Sequence, residues 1–133
     1  MQYSVTLRNN QLNQIESTGG ASPVLRMYTG AKPATCAAVA TGVQVASMTL
    51  PADWMNAAAD GSVTKAGTWQ DLAADADGIL GYFRIWDAAV VNCHIQGTIT
   101  LAGGGGDMIV DNTNVLTGQA ITVSTFTVNA GNA

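Results

Sequence analysis

Four groups of residues in this chain have chemical reach: Cys93 beside His94, with Cys36 far upstream; Asp71, Asp75 and Asp77 before Gly78; the glycines 103–106; and Trp54, Trp69 and Trp86. Cys93 and His94 join a thiol to the only imidazole, the ingredients of a nucleophile and its base. Adjacent side chains on a regular strand point to opposite faces, so the two should not pair, and no GxSxG elbow offers another nucleophile. His94 therefore reads as a packed or hydrogen-bonded strand histidine. One histidine and two separated cysteines also leave no zinc set. A Cys36–Cys93 disulfide would constrain the unfolded chain by roughly 4 kcal/mol, but a reducing cytosol favours free, buried thiols.

The acidic run has the look of a calcium loop only until it is aligned. With Gly78 on the turn glycine of an EF-hand, Ala73 falls at the first ligand position and Arg84 where the bidentate glutamate belongs. A solvated loop turning at Asp77-Gly78 is the expectation. The glycine run lacks the Lys-Ser/Thr of a phosphate cradle, Asp107 beside it would repel phosphate, and a hairpin connection is expected instead. Nothing in the spacing of the nine acidic residues favours a glycosidase pair. The tryptophans read as core or interface before sugar-stacking platforms. No catalytic residue, cofactor site or metal ligand is expected, and the chain does not read as an enzyme.

The chain is 47% hydrophobic but only 11% charged, less than half the usual charged share, so its surface must be largely Thr, Ser, Asn, Gln, Ala and Gly. Such a surface is desolvated cheaply and suits lasting protein contact. The net charge is −4 and the five basic residues are scattered, which argues against nucleic acid as a partner. No apolar run is long enough to span a bilayer, and residues 1–8 lack the pattern of a signal peptide, so synthesis in the cytosol is expected.

Residues 4–17 form the best helix candidate, with Ser4 as cap and Val5, Leu12 and Ile15 on one stripe; Gly19-Gly20 stops it. Strands are expected at 24–28, 43–50, 62–68, 81–86, 91–101, 107–111 and 120–128. The sharpest alternation sets Ile95, Gly97, Ile99 and Leu101 against Gln96, Thr98 and Thr100. Ile121 and Val123 keep one parity and Phe126 and Val128 the other, which a bulge near Ser124-Thr125 would reconcile. Residues 51–59 interrupt the pattern and read as a short helical turn capped by Asp53. The expected fold is mainly β: one domain over 1–133, with a short N-terminal helix (1–20) and a β-sandwich or jelly-roll-like remainder (21–133).

Three stretches carry a resemblance: YSVTLRNNQLNQIE at 3–16 running into SPVLRMYTG at 22–30; GTWQDL at 67–72; and CHIQGTIT at 93–100, followed by the glycine run, Asp107 and GQAITV at 118–123. Together they resemble small virion proteins of tailed bacteriophages, most like the capsid cement or decoration proteins. The resemblance implies a homo-oligomer (dimer or trimer) on the outer capsid surface that clamps the major capsid protein, made in the host cytoplasm. It implies no nucleic-acid or membrane partner. Segments outside the strand framework are freest to reach partners, so the expected interface residues are Tyr3, Leu7, Arg8, Trp54, Met55, Asn129 and Asn132. A tail or head-fibre component, or a carbohydrate-binding β-sandwich, is the alternative.

Overall fold

The computed structural model describes residues 1–131, with the element order α1 (Val5–Gly19), β1 (Val24–Thr29), β2 (Gln44–Thr49), β3 (Ser62–Thr64), β4 (Gln70–Asp71), β5 (Gly78–Trp86), β6 (Cys93–Thr100), β7 (Met108–Val110), β8 (Asn114–Val115) and β9 (Ile121–Asn129). The protein is mainly β, with one N-terminal helix and a curled sheet.

Ser4 caps α1 as expected: it is extended, and its hydroxyl accepts from Leu7 N at 3.1 Å. Gly20, at φ 75°, ends the helix in a conformation that disfavours any side chain. The buried stripe is shorter than expected. Leu12 is buried and Ile15 packs against the core, but Val5 is exposed, because only the later turns of the helix lie on the core.

Asn9, Asn13 and Glu16, spaced to share one helix face, accept backbone N–H groups from the segment beneath them. Asn9 Oδ1 takes Gly61 N (2.8 Å), Asn13 Oδ1 takes Ala58 N (2.9 Å), and Glu16 Oε1 takes Trp54 N (2.8 Å) and Met55 N (3.2 Å). Residues 51–59 are consequently not the Asp53-capped helical turn expected. The N–H groups of Trp54, Met55 and Ala58 go to side chains of α1, those of Asn56 and Ala59 to Thr64 O and Ser62 O, and isolated bridges pair Met55 with Lys65 and Ala59 with Ser62.

The sheet runs β2-β1-β5-β6-β7-β9-β3, with β4 also on β9 and β8 on β5. Its two ends meet. Asp71, on β4, accepts Ser47 N of β2 at 3.0 Å, and Asp75 N donates to Val45 O at 2.8 Å, so the outer edge of β2 is covered. The expected strand at 62–68 is cut short to β3 at Ser62–Thr64; the chain then detours through Gly67 (φ 71°) before β4, which turns Trp69 inward with its indole N–H on Ala66 O. The expected bulge in β9 is present: Thr125 pairs Ile109 and Val123 pairs Val110, leaving Ser124 as the extra residue.

The glycine run does not make a hairpin. β6 and β7 pair in parallel, Ile99 with Met108 and Thr100 with Ile109, so the chain loops out and re-enters in the same direction. Local polar contacts hold this unusually short connection between parallel strands. Asp107 Oδ2 accepts Thr98 N (2.8 Å) and Thr98 Oγ1 (2.9 Å), and Thr100 Oγ1 accepts Gly106 N (3.0 Å). β6 ends at Thr100, which leaves Leu101 exposed outside the alternation predicted for it.

One hydrophobic cluster reaches from Leu12 to Phe126. An aromatic chain crosses it: Trp54 lies 6.0 Å from Trp69, Trp69 5.5 Å from Phe126, and Phe126 meets Phe83 edge-on at 5.6 Å. Gly97 is required where β6 passes Phe83, since a Cβ there would lie 2.8 Å from Cε1 of that ring.

Candidate functional site

Phe83 and Ile85 of β5 face the core, so Tyr82, Arg84 and Trp86 must point to the other side of the sheet. The cross-strand register adds Arg26 and Tyr28 of β1 and Gln96 of β6 to that outer face, with Arg26 and Gln96 both directly opposite Arg84. A face bearing two arginines would ordinarily stay in water. Here Arg84 is 0% exposed.

The cover is the segment joining β1 to β2, strapped across the face. Thr29 closes its base, donating through N to Val43 O and accepting Val43 N at Oγ1. Tyr82 Oη accepts Thr41 N and donates to Thr41 O, Gln96 Nε2 donates to Pro33 O (2.7 Å), and Arg84 donates to Ala38 O (2.8 Å) and Thr35 O (3.2 Å). Tyr28 stacks on Tyr82 at 4.9 Å, and the Arg84 guanidinium lies 5.7 Å from the Trp86 ring. Burial pushes the Tyr28 phenol up, with the neighbouring Arg26 charge pulling the other way.

Beside the strap opens a cleft of about 800 Å³ whose walls include Arg26, Tyr28, Cys36, Trp86, Val91 and Cys93. The two cysteines, remote in sequence, are neighbours here. Both are free and half-buried, which revises the expectation of fully buried thiols. Burial and the adjoining Cys36 push the Cys93 thiol up to about 12, against the opposing pull of Arg84. No part of this arrangement was expected from the sequence. The available signal was a strand, 82–86, carrying large side chains on both parities, next to a long stretch poor in strand formers, 30–42.

The pairing of His94 with Cys93 fails as expected, though by a different geometry. Ile95 pairs Ile85 and Cys93 pairs Trp86, so His94 is the extra residue of a bulge. It is exposed and lines a groove with Gln11, Ile15 and Thr18 of α1, so it is not a packed histidine, and it does not share the cleft of Cys93. The acidic run is spent on structure. Asp71 accepts Ser47 N and Ala73 N, and Asp77 Oδ1 accepts Thr117 N (2.7 Å) and Oγ1 (2.8 Å), bonds that hold the Asp77 carboxyl below its ordinary value. Among the described residues no group of three His, Cys, Asp or Glu is placed to hold a metal, and no helix is long and apolar enough to cross a membrane.

The expected interface residues divide. Tyr3 and Leu7 are exposed near the start of the chain. Arg8 is turned inward, its Nη1 on Ala130 O at 3.3 Å, and joins α1 to the end of β9. Trp54 and Met55 are corrected outright: both are buried in the core, with the Trp54 indole N–H on Gly20 O at 3.0 Å, because α1 holds their backbone down. Asn129 is exposed but belongs to β9, paired with Ser62, and is not part of a free tail. Asn132 lies outside the described residues. Comparison with protein-family models, curated proteins and solved structures finds no match to this chain.

Proposed function

We propose that this chain is a capsid cement protein of a tailed bacteriophage: a virion component that binds the major capsid protein on the outer surface of the assembled shell, as a homo-oligomer. The resemblance of residues 3–30, 67–72 and 93–123 motivates the reading. One observation carries it furthest. Met1, Tyr3, Val5 and Leu7 all leave large apolar surface in solvent, at the end of a helix whose later turns are anchored on the core. Apolar side chains presented from a rigid base suit a lasting interface, and the sparse charge around them lowers the cost of desolvation. A protein that binds only the assembled shell stabilises it by mass action, and identical contacts repeated over an oligomer add through multivalency.

We also read the curled sheet as sandwich-like, with β2-β1-β5-β6 as one layer and β7-β9 with β3 as the other; the Phe83–Phe126 contact spans the core between them. A carbohydrate-binding role is less well supported. Trp54 and Trp69 are inside the core, and only Trp86 reaches a cleft.

The test is co-sedimentation of the purified chain with capsids stripped of cement protein, beside a Val5→Asp/Leu7→Asp double variant of unchanged melting temperature. The wild-type chain is expected to pellet with the shells and raise their rupture temperature, while the variant stays in the supernatant. A wild-type chain that stays in the supernatant overturns the proposal, and immunogold label at the tail would move the reading to a tail component.

A further inference from the structure

Arg84 donates to the carbonyls of Thr35 and Ala38, and so pins the strap on both sides of Cys36. Cys93 stands on β6 opposite Trp86, two residues along β5 from Arg84, and lines the same open cleft as Cys36. The two cysteines line one space, and the Cys93 thiol feels Cys36 as a neighbour. A buried guanidinium thus places two half-exposed sulfurs together across a junction between elements separated in sequence, beside a cleft that admits a small molecule.

We propose that Cys36 and Cys93 are a redox pair that closes to an intramolecular disulfide on exchange with a low-molecular-weight disulfide, locking the strap onto the outer face of the sheet. The Cys36 thiol loses its proton and the thiolate attacks one sulfur of the small disulfide. A mixed disulfide forms on Cys36 and one small thiolate leaves, taking up a proton. Cys93 sulfur, giving up its own proton, then attacks the Cys36 sulfur of that adduct and expels the second small thiolate, which is protonated in turn. Two protein thiols are oxidised, one disulfide is reduced to two thiols, and both protons are accounted for. The order follows from burial, which keeps Cys93 protonated until the adduct is beside it.

The bond belongs to a finished particle outside the reducing cytosol, where free thiols would give way to a covalent tie. It closes a long loop, so it should slow opening of the strap and raise the melting temperature by about 10 °C.

The experiment treats the folded full-length chain with oxidised glutathione at pH 8.5 and reads its intact mass, its peptide map and its thermal melting. The expected product is lighter by two hydrogens, carries no glutathione, joins the Cys36 and Cys93 peptides, and melts higher until dithiothreitol restores the original curve. Cys93→Ser should instead stop at a stable glutathione adduct on Cys36. An unchanged mass, a lasting glutathione adduct on the wild-type chain, or a disulfide-linked dimer overturns the proposal.

Discussion

Replacing Arg84 with alanine isolates the strap from the rest of the fold. Arg84 makes two charged hydrogen bonds, 2.8 Å to Ala38 O and 3.2 Å to Thr35 O, each worth about 1.5–3 kcal/mol. Its contact with the Trp86 ring adds about 0.5–1 kcal/mol, and truncation leaves a void under the strap. Two terms act the other way. The guanidinium is fully buried with no carboxylate bonded to it among the described residues, its Nε has no partner, and Arg26 stands directly opposite with the same charge. Removing such a charge recovers several kcal/mol of desolvation and some repulsion. The balance predicts that Arg84→Ala loses about 2–4 kcal/mol. Arg84→Met, which refills the space and leaves Ala38 O without its donor while Thr35 O still accepts Ala38 N at 3.2 Å, should lose about 1–2 kcal/mol. Urea unfolding checks the size: at a slope of about 1–3 kcal/mol/M, a 3 kcal/mol loss lowers the midpoint by about 1–3 M. Hydrogen exchange at residues 35–41 checks the place and should accelerate before the core amides do. If Arg84→Ala keeps the wild-type midpoint and the strap amides keep their protection, Arg84 does not hold the strap.

Two further outcomes follow from local geometry. Val90, in the turn between β5 and β6, sits at φ 57°, a conformation that strains a β-branched residue, so Val90→Asn should stabilise the fold by about 1 kcal/mol; a lower melting temperature would reject that strain. Asp77 and Asp87 both have carboxyls held below their ordinary value, by hydrogen bonds from Thr117 and from Val91 and Asn92 respectively. A depressed folded value stabilises above the unfolded carboxylate pKa, about 3.9, and that contribution is lost as pH falls through the folded value. The melting temperature should hold down to about pH 5 and drop as pH falls below about 4, and an Asp77→Asn/Asp87→Asn variant should start lower at pH 7 and show a shallower acid decline.

The β pattern, the Ser4 cap, the Gly20 stop and the bulge at Ser124 were legible along the chain because each depends on neighbours within a few residues. Side-chain parity, turn chemistry and capping are short-range physics. What misled the reading was long-range. Trp54 looked like a residue free to reach partners because nothing nearby in sequence says that Glu16 will bond its N–H and draw it into the core. The glycine run looked like a hairpin because its local composition does not specify whether the next strand returns beside β6 or runs with it.

The strap, the buried Arg84 and the meeting of Cys36 with Cys93 were decided by tertiary structure alone, since residues 35 and 38 find their donor on β5 and Cys36 its neighbour on β6. The sequence by itself determined a charge-poor, mainly β chain with a capped N-terminal helix. Only the curl of the sheet determined which side chains face the core. A strand's alternation assigns residues to two sides, but which side meets the core and what covers the other depend on packing between elements distant in the chain.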